Sequence, residues 1–259
     1  MSTAYISKEE KKIPINDPSG KWSDVTLLPE WEEEFYDVYT ARKHGKWVML
    51  KALKKQYASD ERFKKMISRE FETRYSLAHP NIVMVNDFEE IPDIGMAIIT
   101  DDVYGYSLRR LIDEKRLTPK IIHRLETQLP DAMAYIQENH VIHHPITPES
   151  IIFTEFNENL KLINVGYDQR ESLTPLDMME DMNAYGNIIN EVLDHTPERL
   201  PRLRRIAKRC TASDPIRRYR SFDELRLSMQ RGSYAILIIV VVAFIILLGI
   251  LVSWLVVNS

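Results

Sequence analysis

Between Tyr234 and Val257 the chain runs for 24 residues without a charge, YAILIIVVVAFIILLGILVSWLVV. Few structures accommodate such a run. At 1.5 Å per residue a helix of that length spans about 36 Å, enough to cross a hydrocarbon core of about 30 Å with some tilt. A helix also satisfies its own backbone hydrogen bonds, which lipid cannot do for it. Tyr234 and Trp254 lie near the two ends, where amphipathic rings favour the membrane interface. The run therefore predicts a transmembrane helix over 234–257. The competing fate, a buried core helix, rarely extends past about 20 residues without a polar side chain.

Charge sets the expected orientation. The chain carries 34 Lys plus Arg against 38 Asp plus Glu, a net of −4. Residues 199–231 alone hold 11 basic and 3 acidic side chains, which leaves −12 on the rest. Such a balance gives no general attraction for nucleic acid, and none is expected as a partner. Arg217, Arg218, Arg220, Arg226 and Arg231 precede the apolar run, and only Asn258 and Ser259 follow it. The positive-inside bias then places 1–233 in the cytoplasm and the C-terminus on the opposite side, as a single-pass, tail-anchored protein. The N-terminal MSTAYISKEEKK has no signal-peptide core. The basic block either rests on anionic headgroups or solvates an ordinary helical face.

The single cysteine, Cys210, excludes a disulfide framework or a cysteine metal cluster. Eight glycines in 259 residues is about 3%, under half the usual share of about 7%. That scarcity weighs against a glycine-rich phosphate loop. Residues 1–27 hold an Asn16-Asp17-Pro18-Ser19-Gly20 turn cluster and read as a flexible or loosely docked N-terminal arm. Strand patterns follow at Lys46–Leu53, Asn81–Phe88 and Met96–Thr100, with an amphipathic helix over 59–77. Helical patterns then cover 107–115, 119–139, 179–194, 198–211 and 221–230, with Pro130 expected to kink the second. A short hairpin, 151–153 with 160–163, interrupts them. Strands first and helices afterwards predict an α+β protein of two lobes.

The segment Val141-Ile142-His143-His144-Pro145-Ile146-Thr147-Pro148-Glu149-Ser150, followed by Asn164-Val165-Gly166, resembles the catalytic core of eukaryotic-type Ser/Thr protein kinases, H-R-D-L-x-x-x-N and then D-F-G. The likeness extends over roughly 28–230. Val48-Met49-Leu50-Lys51 is similar to the V-A-I-K strand, and Glu70 to the helix-C glutamate that pairs with its lysine. Val103 to Leu108 resembles the turn after the hinge, which puts the gatekeeper near Thr100. Asp181 to Gly186 is similar to the start of helix F, and Asp214-Pro215-Ile216-Arg217-Arg218 to a late element of the helical lobe. The resemblance implies a small β-rich N-lobe over 28–102, a helical C-lobe over 103–231, and the membrane helix beyond.

Its departures are chemical. Phosphoryl transfer in that family uses a carboxylate base, carboxylate and amide ligands for two Mg²⁺ ions, and a glycine-rich loop over the phosphates. The base position falls on Pro145, which has no side-chain oxygen. The catalytic-loop lysine falls on Thr147, the second-metal asparagine on Ser150, and the D-F-G aspartate on Asn164. A neutral amide repays the dehydration of Mg²⁺ poorly. Residues 29–38, where the glycine loop belongs, contain no glycine and four glutamates. His140, His143 and His144 lie close together in sequence, but no metal site is expected from them. Only 14 residues separate Gly166 from Asp181, so most of the activation segment is absent, and little room remains for a helix G.

These departures imply a pseudokinase: no enzyme activity, ATP and Mg²⁺ binding lost or very weak, no metal, Lys51 and Glu70 kept as a structural ion pair. Its work would be that of a membrane-tethered interaction or regulatory scaffold for protein partners, with the rim at Glu32, Glu33 and Glu34 suited to a basic segment. The alternative is a divergent active Ser/Thr kinase or ATP-binding transferase, for which Lys51 and Glu70 argue. A third reading is a subunit of a membrane complex, packed through Gly249 and Ser253.

Overall fold

The computed structural model describes residues 11–163, 165–230, 241–242 and 244–247. The transmembrane helix expected over 234–257 thus lies almost wholly outside the described residues. Among these, no helix is long and apolar enough to cross a membrane.

Six antiparallel strands build the first lobe: β1 (Lys11–Lys12), β2 (Trp22–Leu27), β3 (Tyr36–Lys43), β4 (Lys46–Leu53), β5 (Val85–Ile91) and β6 (Gly95–Asp101), in the order β1-β2-β3-β4-β6-β5. Helix α1 (Glu61–Tyr75) packs on β4 and β5. It starts one residue after Asp60, whose carboxylate accepts the amide of Arg62, the usual remedy for an unpaired N-terminal N–H. The alternation of β4 separates two faces. Val48, Leu50 and Ala52 join Trp22, Val25 and Tyr39 in one core cluster, while Leu53 joins Ile67 and Ile98 in another.

The N-terminal arm is a correction. Residues 11–27 are not loosely attached: β2 pairs along β3, β1 along β2, and Trp22 and Val25 are buried. The Asn16–Gly20 cluster is the device that does this. Asp17 accepts from the amides of Ser19 and Trp22, at 3.0 and 2.8 Å, and Gly20 takes φ +65°. The expected strand over Asn81–Phe88 is likewise shorter. Only Val85 onward joins the sheet, because Asn81 and Val83 bond instead to Leu162 of the second lobe, at 2.8 and 2.9 Å.

The second lobe holds the strands β7 (Gly105–Ser107), β8 (Val141–Ile142), β9 (Ile151–Thr154), β10 (Leu160–Leu162) and β11 (Asp168–Gln169). Its helices are α2 (Leu108–Asp113), α3 (Pro119–Glu138), α4 (Pro175–Asp194), α5 (Pro201–Cys210) and α6 (222–230). Pro130 lies within α3, and the helix runs on without a break. Helix α4 begins four residues before the 179 expected, at a Thr174/Asp177 capping box. No helix lies between α4 and α5. Tyr185 and Phe222 meet edge to face in the core, 5.7 Å between centroids. The short segment after Gly166 is held as β11 against β8.

Because Trp22 belongs to the core of the sheet, Trp22→Ala is expected to lower unfolding free energy by about 3–5 kcal/mol, measured by denaturant titration. A loosely docked arm would give almost no change.

Candidate functional site

The pleat that buries Leu50 points Met49 and Lys51 to the opposite face of β4, over the junction of the lobes. Lys51 Nζ lies 2.9 Å from Glu70 Oε1 on α1 and 2.7 Å from Glu33 Oε2 on the loop between β2 and β3. The ring of Tyr36 covers it at 4.3 Å. Glu70 is only 3% exposed and also receives Arg74 Nη1 at 2.9 Å, one turn along α1. Burial pushes the Glu70 carboxyl up, but Lys51 and Arg74 outweigh it and hold the group below its ordinary range. Sequence reasoning identifies Lys51 and Glu70. It missed Arg74, whose i,i+4 spacing from Glu70 was the available signal, and the inward turn of Glu33.

Beside this cluster a cavity of about 300 Å³ opens between the lobes, lined by Trp31, Val38, Met49, Thr100, Val103 and Ile163 among others. Thr100 is buried and lines this cavity. Met49 stands where V-A-I-K has alanine, so its longer side chain narrows the cavity. The loop above it contains one 3-10 turn, Pro29–Trp31, which brings Trp31 to the cavity wall. Glu32 pairs with Lys54 at 2.7 Å. Glu33 and Glu32 are therefore both paired within the lobe.

A second cavity of about 670 Å³ lies below, between Glu70, Lys51 and the 143–150 loop. His143 is buried there; its Nε2 lies 3.2 Å from Asp181 Oδ1 on α4, and Nδ1 lies 2.7 Å from the His144 carbonyl. Burial pulls the imidazole pKa down, and Asp181 more than restores it, so the group sits above its ordinary range. Asp181 thus holds the loop through the His143 side chain. Pro145 and Thr147 are exposed. Ser150 Oγ receives the Thr147 amide at 3.1 Å and donates to the Thr147 carbonyl at 2.9 Å, so its hydroxyl closes the loop on itself. Asn164 lies outside the described residues. Gly166 takes φ +85°, and a Cβ there would come within 2.9 Å of Val141, which accounts for glycine at this position.

Among the described residues no three His, Cys, Asp or Glu side chains gather as metal ligands. The sequence also gave no sign of Arg109, which bridges Glu149 of the loop and Glu191 of α4 at 2.8 and 2.5 Å.

Residues 34–218 match the protein kinase domain family. The chain is 32% identical over 120 residues to the serine/threonine-protein kinase PrkC of Bacillus subtilis, covering 46% of this chain and 18% of that protein. It is 28% identical over 147 residues to the serine/threonine-protein kinase PkaA of Streptomyces coelicolor, covering 56% and 27%. The chain thus spans well under a third of these relatives. Among solved structures, the PknI kinase domain of Mycobacterium tuberculosis aligns with a TM-score of 0.57 and 20% identity, over 79% of this chain and 93% of that one. The expectation that the chain is no enzyme is corrected by this kinship: the matched relatives are named serine/threonine-protein kinases, and the family match includes Val38, Lys51, Glu70, Thr100 and Ile163 of the cleft.

Replacing Glu70 by Gln leaves Lys51 and Arg74 short of a buried counter-charge and is expected to cost about 3 kcal/mol at neutral pH. The carboxyl has a folded-state pKa below its ordinary 4.5. Its contribution is therefore full above 4.5 and fades as pH falls through the lowered value. The stability gap between wild type and E70Q, read from urea titrations at pH 7 down to 3, should narrow only below about 4.5. A constant gap would assign the loss to packing.

Proposed function

This chain belongs to the protein kinase family, and we propose that it acts as a divergent Ser/Thr protein kinase that binds ATP between its lobes. One observation carries the reading: Lys51 and Glu70 are paired at 2.9 Å at the edge of a largely apolar cavity. In this family that pair must be in place for the lysine to reach phosphates. An adenine ring suits the cavity, with Thr100 at its back and Val38 and Ile163 among its walls. The metal end fits less well. Ser150 spends its hydroxyl on the Thr147 backbone, and among the described residues no three His, Cys, Asp or Glu side chains are grouped as metal ligands.

Pro145 offers no side-chain oxygen to the accepting hydroxyl. A positioned base contributes roughly 10²- to 10⁴-fold, so transfer is expected to be slower by about that factor than in relatives that have one. The Pro145 position also supports a second reading, in which a formed but chemically sparse cleft serves a regulatory module that docks protein partners. Under either reading, tethering through 234–257 with the kinase domain on the cytoplasmic side remains part of the proposal, supported by the uncharged run and the arginines before it.

With radiolabelled ATP, the chain is expected to transfer phosphate slowly to itself or to a generic basic protein. Lys51→Met should abolish the transfer, and Met49→Ala, which widens the cavity, should tighten adenosine binding. Absence of any nucleotide-dependent labelling or thermal stabilisation would refute the kinase reading. For the tether, the chain should remain in membranes after alkaline carbonate extraction; its release would count against 234–257 as a span.

A further inference from the structure

We propose that Glu33 occupies the phosphate end of the cleft as a built-in anion, and that its carboxylate must leave Lys51 before a phosphate chain can bind. The inference rests on the nucleotide-binding reading above and concerns what regulates that site.

Four charged side chains meet at the cleft: Lys51, Arg74, Glu70 and Glu33. Lys51 Nζ has carboxylate oxygens at 2.7 and 2.9 Å and the face of Tyr36 over it. Its side chain is only 10% exposed, so little of the ammonium is open to a further ligand. With Glu33 in place the four charges sum to zero. With Glu33 withdrawn they sum to +1, and a cation faces the cavity. A site of low polarity discriminates strongly between these two states. Phosphate affinity is therefore set by where Glu33 stands.

The two carboxylates are not equally fixed. Glu70 sits on α1, is 4% exposed at its side chain, and has two cationic partners. Glu33 sits on a loop and keeps 29% of its side chain exposed. Its second oxygen, Oε1, is buried with no hydrogen-bond partner, an arrangement that weakens its hold. The backbone around it is pinned: the Glu33 amide donates to the Tyr36 carbonyl, and the Lys54 amide to the Phe35 carbonyl, both at 3.0 Å. Glu32 anchors the same loop to Lys54. The loop can stay in place while the Glu33 carboxylate turns outward. Glu33 is thus the removable member of the cluster, and the ligand that replaces it is a phosphate group on the free end of Lys51.

The test titrates the chain with tripolyphosphate, ATP and adenosine by calorimetry in chelator, for wild type, Glu33→Gln and Glu33→Ala. Thermal unfolding of each variant establishes that it is folded. Both variants should bind tripolyphosphate and ATP about three- to fivefold more tightly than wild type, the effect of relieving one partly exposed ion pair. Adenosine affinity should not move, and adding Lys51→Met to E33Q should cancel the gain. Unchanged tripolyphosphate and ATP affinities would overturn the inference, and adenosine binding in the same series would leave the nucleotide reading standing. A tripolyphosphate gain without adenosine or ATP binding would uphold Glu33 as the built-in anion and refute the nucleotide reading. No binding in any arm would overturn both.

Discussion

A buried ammonium surrounded by carboxylates fixes the geometry of the junction between the lobes. Lys51 ties β4 to α1 through Glu70, and Arg74 shares the same oxygen of Glu70. Each of these groups alone would be strongly unfavourable in so dry a place; together they satisfy one another. The pair therefore requires α1 to dock with its Glu70 face inward. With α1 docked, Arg69 reaches Asp168 of β11 at 2.6 Å, and the segment that follows Gly166 is drawn against the helix. The position of the cavity follows from that docking.

The same junction explains how a family cleft is kept while its polar groups are changed. Apolar walls come from strand alternation and need only Val, Leu and Ile at the right parity. The chemistry of phosphate and metal needs particular oxygens and nitrogens. The resemblance puts Pro145, Thr147 and Ser150 at several of those positions, and the hydroxyl of the last closes the loop. His143 and Asp181 meanwhile hold the loop to α4 from within. The scaffold of the loop depends on contacts that face the protein, so it persists independently of the groups that face the cleft.

Much of the fold was legible because its elements carry strong local signals. The alternation of Lys46–Leu53 and the helical spacing around Ile67 and Glu70 both survive in the structure. Residues 11–27 were misread because a turn cluster signals a change of direction and not whether the chain beyond it pairs. The pairing of β2 depends on β3, which is remote from that signal. Asn81 to Val83 were misread for the converse reason: an apolar run says that it will be covered, and its actual cover is Leu162, 79 to 81 residues away by number. In the site, Lys51 and Glu70 were visible through family spacing. Glu33 was visible only as one of four glutamates, and nothing local distinguishes the one that turns inward. Reading the replaced positions as loss of all enzyme function went further than the residues allow, since the comparisons join the chain to named kinases.

We propose that a nucleotide sits between the lobes beside Lys51. Photolabelling of the 259-residue chain with an azido-adenine analogue of ATP, followed by peptide mapping, tests it most directly. The account predicts label on peptides that contain Trp31, Val38 or Val103, removed by excess ATP. Label confined to other surfaces, or label that excess ATP leaves unchanged, would contradict it.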